Sequence, residues 1–508
     1  MADRSRPIAA LALSGVIATL VLGTALALAA QATSASLRPA DWSAVRFTVA
    51  QALLSTGFSC ILAIPVARAL MRRQFPGRSL LILLMGAPFL LPVIVAVLGL
   101  VSIYGRSGIL NAALQAVGLP AVSIYGLKGV VLAHTFFNLP LATRILLNGW
   151  HSIPAERFRL AETLGLPSLF AHIERPMLST TLPGAALAIF LVCLTSFVVA
   201  LTLGGGPAAT TLELAIYQAL RLDFDPGRAA LLAALQFALC AAAVTLAARF
   251  TQPFTLGTGQ DRSFTLRPPK GRATLDTVTI SFAALFLLAP LAAVLIDGLP
   301  ALRTLPMAVW AAALRSILMA LASAALAVTA ALTLAQASAR GTKVVEFAAM
   351  LPMSASGLVL GTGLFLIVRP FVRPETIALP VTILVNALMA LPFLYRLLLP
   401  ETIALYVGYD RLAQATGLAG VARLRWLTLP RLARPLGFGA GIAAALAMGD
   451  LGVIALFAGD GQATLPLVVQ RLAGSYRMGQ ASAAALLLVT ISFGLFALCD
   501  LGGRRAAP

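Results

Sequence analysis

The stretch YDRLAQATGLAGVARLRWLTLP, Tyr409–Pro430, decides how this chain is organised. It is short and amphipathic, carries Arg411, Arg423 and Arg425, and lies between two long apolar runs in a chain that otherwise avoids charge. Its opening, RLAQATG (Arg411–Gly417), has a counterpart in RLAETLG (Arg159–Gly165), 252 residues upstream. At the same separation LPFLYR (Leu391–Arg396) answers LPLATR (Leu139–Arg144). Farther on, GQATL, ending at Leu465, answers PAATT, which precedes Leu212, at a separation of 254. The chain is a repeat, and the loop is one of a pair.

Composition says what kind of repeat. Of 508 residues, 60% are hydrophobic and 11% charged, and the mean hydropathy is +0.94. A soluble protein carries about a quarter charged residues. Apolar runs long enough to cross roughly 30 Å of hydrocarbon as helices fall at 8–30, 44–67, 80–104, 129–147, 182–203, 229–248, 275–296, 310–334, 345–368, 377–399, 436–457 and 483–501. An outer-membrane barrel would alternate polar and apolar residues instead. The expected fold is therefore all-α and polytopic, with about twelve transmembrane helices.

The net charge of +19 is a topology signal, with no nucleic-acid partner implied. With the N-terminus inside, most of the 37 Lys and Arg fall on inner segments, among them Arg4, Arg6, Arg72, Arg73, Arg504 and Arg505. That is the positive-inside bias, and it predicts both termini in the cytoplasm. The first apolar run is longer than the core of a cleaved signal peptide, so a retained helix is expected. Cys60, Cys193, Cys240 and Cys499 all lie in apolar runs without metal-like spacing and read as small buried hydrophobes. No metal or cofactor is expected.

Residues 251–272, TQPFTLGTGQDRSFTLRPPKGR, form a polar, basic, Gly- and Pro-containing segment near the midpoint and read as a cytoplasmic linker. It separates a first half, 1–250, from a second, 273–508. Six spans per half is an even number, so the halves run parallel and both loops, 148–181 and 400–434, share the cytoplasmic face. Each loop is expected to hold a short helix, a glycine at which the backbone turns (Gly165, Gly417), and a second helical stretch. A proline, Pro176 or Pro430, should then stop that stretch before the next span.

The spacing Ala-x-x-x-Gly, then ten residues to an apolar position and thirteen to proline, resembles the EAA loop of binding-protein-dependent ABC importer permeases. Ala413, Gly417, Leu427, Leu429 and Pro430 fit it in register. The first copy supplies Ala161 and Gly165, with Pro176 two residues early. Where the family has glutamate, this chain has Arg159 and Arg411. Longer segments, including LAHTFFNLPLATRILL (Leu132–Leu147) and LTLGGGPAATTLELAIYQAL (Leu201–Leu220), are similar to the fused two-half thiamine permeases. The fused ferric-iron permeases are the nearest alternative.

That resemblance implies a type I importer permease of the bacterial inner membrane, carrying thiamine or its phosphates. Its partners would be a cytoplasmic ABC ATPase dimer and a periplasmic substrate-binding protein. No G-x-x-x-x-G-K-[ST] phosphate loop occurs in the chain, so ATP hydrolysis is expected on another subunit. The chain is expected to be a channel subunit and not an enzyme.

An ionisable group within a span is a functional candidate by default. Asp450 is the clearest, and a shift of 254 places Ser196, beside Thr195, opposite it. Asp450 is expected to face a cationic substrate, to cap a break at Gly449, or to pair with Arg144 or Arg396. His134 reads as a structural hydrogen-bonding residue. Tyr104 and Tyr217 read as outer-level aromatics that could stack on a cationic ring. Glu213, Asp223 and Asp225 should make the outer loop 204–228 acidic. An ion-coupled secondary transporter is the alternative from another class, but would carry charges in several helices. Asp450 stands nearly alone.

Overall fold

A computed structural model describes residues 8–32, 36–86, 90–164, 168–204, 206, 209–250, 273–459 and 461–507. The linker 251–272, Gly165, Arg4 and Arg6 lie outside the described residues. In the first half the helices are α1 (Ile8–Ala32), α2 (Pro39–Arg72), α3 (Arg78–Leu84), α4 (Val93–Tyr104), α5 (Ile109–Ala116) and α6 (Leu127–His151). They are followed by α7 (Ala155–Thr163), α8 (Arg175–Leu194), α9 (Val198–Leu203), α10 (Leu212–Arg221) and α11 (Pro226–Phe250). The second half begins with α12 (Ala273–Gly298), α13 (Met307–Ala339), α14 (Val344–Met350), α15 (Gly357–Val368) and α16 (Ala378–Ala415). It ends with α17 (Gly420–Arg423), α18 (Leu429–Met448), α19 (Gly452–Phe457), α20 (Leu465–Gly474) and α21 (Met478–Ala506).

Among the described residues, 11 helical segments are long and apolar enough to cross a membrane. Counting α14 and α15 as one span bent by 93° makes 12. Each overlaps one of the twelve apolar runs, the third (Val93–Ala116 against 80–104) and the fifth (Phe170–Leu194 against 182–203) over only about half of the run. The chain is a multi-pass, all-helical membrane protein.

The repeat is visible in the packing. In the first half α2 packs on α6 and α8; in the second, α13 packs on α16 and α18. Small details recur. The Thr48 hydroxyl accepts the N–H of Leu212 at 2.8 Å, and the Ser316 hydroxyl accepts that of Leu465 at 2.8 Å. In both places an orphan donor at a helix start finds a side chain on the second span.

The halves also exchange their first helices. α1 packs against α13, α14 and α15, and α12 against α2 and α4. Two glycines allow the crossings: a Cβ at Gly99 would run into the Pro290 carbonyl, and one at Gly363 into Thr24. The two pairs occupy matching positions in the repeat. Close approach of the backbones is what glycine is for here.

One span in each half is less regular than its apolar run suggests. The fifth and eleventh are interrupted, at 195–197 and 449–451, so α8 and α9 form one broken span and α18 and α19 another. The prolines do not stop the helices before these spans. Pro176 and Pro430 are each the second residue of a 20-residue helix, α8 or α18. Each helix follows directly on a five-residue π turn, Phe170–Glu174 or Leu424–Thr428. The Arg175 N–H donates to the Phe170 carbonyl and the Leu429 N–H to the Leu424 carbonyl. This widened turn and first-turn placement accommodate a residue with no donor. A local rule about proline was overridden by the turn before it.

Candidate functional site

Six spans separate the two loops when α14 and α15 count as one, which puts both at the same end, and they differ in construction. In the second, the expected short helix is the end of α16, which runs unbroken for 38 residues from the tenth span to Ala415. In the first, α6 stops at His151 and α7 begins at Ala155, with Pro154 between them. Shifted by 252, Pro154 falls on Tyr406, which is helical. Proline disfavours helix in the residue before it, and Pro154 stands at the joint, although α16 carries Pro392 and Pro400 without a break.

α7 and α16 end at matching positions, Thr163 and Ala415, and the π turns match at a shift of 254. The two extra residues of the second loop therefore lie between these points, where α17 forms. Pro176 and Pro430 are structural equivalents. Gly417 takes φ +68 with nothing within 4 Å of where a Cβ would be, so the turn needs its backbone freedom alone. Ala161 and Ala413 are buried while Arg159 and Arg411, two residues earlier, are exposed in both copies.

The expected polar face is only partly there. Arg423 turns inward, pairs with Asp410 at 2.7 Å, and lies 4.4 Å over the Tyr406 ring. The Arg340 Nε donates to the Tyr406 hydroxyl at 3.0 Å, tying α13 to the same cluster. In the first loop the signs are exchanged. Glu174, 1% exposed, binds Arg68 of α2 at 2.7 Å, and Arg68 lies 4.9 Å over Phe170. Leu412, Val421, Trp426 and Leu429 remain exposed on the second loop, Leu160 and Leu164 on the first.

At mid-depth the breaks of the two halves meet. A Cβ at Gly452 would touch Phe197 at 3.7 Å, and one at Gly449 would lie 3.3 Å from Pro92, the residue before α4. Helix ends leave carbonyls without partners, and here glutamines supply them. Gln51 Nε2 donates to the Cys193 carbonyl and Gln236 Nε2 to the Leu194 carbonyl, each at 2.9 Å. Thr195 bonds back to Leu191 at 3.1 Å. Tyr217 packs on Phe197 with ring centroids 5.3 Å apart, and Tyr104 closes α4, partly exposed.

Asp450 sits in the second break. Its Oδ1 accepts from the Val453 N–H at 3.5 Å, capping α19. No ion pair joins it to Arg144 or Arg396 among the described residues. Asn386 of α16 lies beside it, and Asp450 Oδ2 and Asn386 Nδ2 are both buried without a hydrogen-bond partner. Ser196 holds the matching place in the first half. A shift of 252 takes Asn386 to His134, whose Nδ1 is 3.3 Å from the Ser55 hydroxyl. Asn386 was missed in the sequence, although a polar residue in register with His134 inside an apolar run was a usable signal.

Glu213 is a correction: it is fully buried. On α10, which is not one of the spans, it faces Ser356 at the start of α15 and Gln236 on α11. Burial pushes its carboxyl up to about 8; Ser356 and Gln236 oppose this, but neither oxygen has a partner at hydrogen-bonding geometry. A separate cavity of about 190 Å³, lined by Leu84, Val95, Leu287, Val489, Phe493 and other apolar side chains, lies away from these groups. Having no polar lining, it does not suit a charged solute.

Two parallel sets of broken spans, meeting at a polar level and joined to paired loops at one end, define a fused two-half membrane permease. No family model matches the chain. It is 41% identical to the thiamine transport system permease protein ThiP of Escherichia coli K12, over 91% of this chain and 90% of that one. The ThiP of Brucella abortus strain 2308 is 38% identical over 98% of this chain and 95% of its own length. That of Haemophilus influenzae is 34% identical over 89% and 87%. The chain belongs to the ThiP family of transport permeases.

Proposed function

We propose that this chain is the membrane permease of an ATP-driven importer that brings thiamine, or its phosphates, across the bacterial inner membrane. Both termini would lie in the cytoplasm, as the distribution of Lys and Arg requires. The observation that carries the reading is the pair of loops. They match in register, sit at one end, and expose apolar side chains and an arginine beside a buried alanine. Lacking a phosphate loop of its own, the chain takes its energy through them from a separate ATPase dimer, one subunit per loop.

The coupling segments are 148–181 and 400–434, with Arg159, Ala161, Gly165 and Pro176 in one and Arg411, Ala413, Gly417, Leu429 and Pro430 in the other. Closure of the ATPase dimer displaces both. Through α16 the displacement is carried by one continuous helix, which includes Pro392 and Pro400, roughly 37 Å from Arg411 to Asn386 at about 1.5 Å per residue. The polar level at Asp450 then opens alternately to the two sides. A soluble binding protein delivers substrate to the opposite face.

Thiamine is a cation through its thiazolium ring, and Asp450 is the counter-charge on its path. Ser196 and Thr195 offer polar contacts across from it, and Tyr104 and Tyr217 offer ring faces. The test is uptake in cells lacking other thiamine routes, with thiamine, its phosphates and ferric iron compared. Uptake of thiamine that needs both the ATPase and the binding protein is expected; uptake of iron alone would overturn the reading. Asp450→Asn should lower thiamine uptake about tenfold, as loss of one charge contact of roughly 1.4 kcal/mol would, while the protein still reaches the membrane.

A further inference from the structure

Among the described residues, two that are not glycine have positive φ: Phe224 at 52° and Tyr476 at 59°. They are 252 residues apart, the separation that relates the two halves. Phe224 lies in the turn from α10 to α11 and Tyr476 in the turn from α20 to α21. Both turns are at the end of the molecule opposite the paired loops, because one span separates each loop from its turn. Each is closed by a backbone bond across the aromatic residue. The Asp225 N–H donates to the Ala219 carbonyl at 2.8 Å, and the Arg477 N–H to the Leu472 carbonyl at 3.0 Å.

A left-handed residue after a helix is ordinarily Gly or Asn, and a bulky side chain there is an outlier. Here the same departure is made twice, each time with an aromatic. Neither ring is used by the fold: Phe224 is 79% exposed and Tyr476 92%. Strained backbone that supports no internal packing collects at sites of contact with something else.

The surroundings say what. Phe224 stands between Asp223 and Asp225, which pair with Arg228 at 3.0 Å and Arg38 at 3.4 Å, and Arg228 also holds Asp41 at 2.7 Å. A ring flanked by half-exposed carboxylates faces water, not hydrocarbon. Tyr476 stands before Arg477, exposed like Arg471 at the end of α20. The first turn is thus near charge balance and the second is basic. Two matching rings on one face suit a partner with two similar parts, and the charges distinguish them.

We infer that Phe224 and Tyr476 are paired anchors that hold the two lobes of a soluble two-lobed protein against this face. Each lobe offers an apolar slot, and the lobe that receives Tyr476 has an acidic rim. This rests on the importer reading, in which the soluble binding protein is that partner, and it adds which residues take it and how the two lobes are told apart. Buried aromatic anchors of this kind dominate interfaces.

The experiment uses the whole permease–ATPase complex in lipid nanodiscs and titrates the purified binding protein against ATPase stimulation. Phe224→Gly and Tyr476→Gly keep the left-handed turn and remove the ring. Each should raise the half-maximal binding-protein concentration about tenfold, and the double variant should leave stimulation unsaturable. The thermal unfolding midpoint should stay level or rise, because the strain is relieved. Raising salt should weaken the Phe224→Gly variant, whose remaining anchor is the one in the basic turn, more than the Tyr476→Gly variant, whose remaining anchor is the Phe224 ring. Unchanged half-maximal concentrations with a stimulated wild type would overturn this inference alone. So would an effect that followed nanodisc lipid composition at unchanged binding-protein response, which would make the rings membrane anchors. A wild-type complex indifferent to binding protein would overturn the importer reading and this one with it.

Discussion

The first loop is jointed and the second is a continuation of its span. In the first, Pro154 separates α6 from α7, and the loop is secured by a buried carboxylate, Glu174, held by Arg68. In the second, α16 passes without interruption into the loop, and a loop arginine, Arg423, is held by Asp410 and Tyr406. The two loops are anchored at different positions and by loop groups of opposite charge. On the proposed reading, motion would reach the two halves through unequal linkages, a joint on one side and a continuous helix on the other.

The comparison can be broken at its stiffest point first. Gly417→Asp places a side chain at φ +68, where left-handed backbone costs about 1–2 kcal/mol. Uptake should fall by about tenfold while the protein remains in the membrane, as roughly 1.4 kcal/mol would give; normal uptake would show that this turn transmits nothing. Next come the two anchors. Glu174→Gln leaves Arg68, whose side chain is 20% exposed, without its carboxylate and should cost about 2 kcal/mol of stability, below the range for a fully buried pair. Arg423→Ala, whose partner Asp410 is 38% exposed, should cost about 1 kcal/mol. Thermal unfolding of the two variants should rank them in that order.

A subtler asymmetry is Glu213, whose place in the second half is taken by Pro466. With its carboxyl raised to about 8 from the ordinary 4.5, the folded protein keeps a proton that the unfolded chain releases between those values. Stability therefore falls as pH rises through that window and levels off above it. Glu213→Gln imitates the protonated form. Its unfolding midpoint should exceed that of the wild type at pH 8, and the gap should close towards pH 4.5. The smallest effect belongs to the joint: Pro154→Ala should shift the thermal unfolding stability by less than about 0.5 kcal/mol, as exposed loop substitutions do.

Much of this fold could be read from the chain. The twelve apolar runs mark the spans, and RLAETLG with RLAQATG marks the repeat, because both depend on composition and spacing. The break at 195–197 could not be read, and that at 449–451 was legible only as one of three readings of Asp450, the one its cap on α19 bears out. Their surroundings are apolar, and the groups that stabilise the first, Gln51 and Gln236, come from helices 142 and 42 residues away. The prolines misled for a related reason: the π turns that seat them have no local signature. At the polar level Asp450 announced itself as a lone charge, but its neighbour Asn386 is a tertiary fact. Glu213 looked like a surface acid because its helix follows a glycine-rich loop, and only packing against α11 and α15 buries it.

The exchange of first helices has a consequence for how the protein can come apart. α1 is lodged against α14 and α15, and α12 against α4, with Gly99 and Gly363 at the crossings. The halves are clasped like two hands with interlaced thumbs. A protease cut within 251–272 should therefore leave them travelling together through a sizing column, and a larger residue at both glycines should let them part. The peptide connection sets how many of each half are made; the clasp keeps them joined.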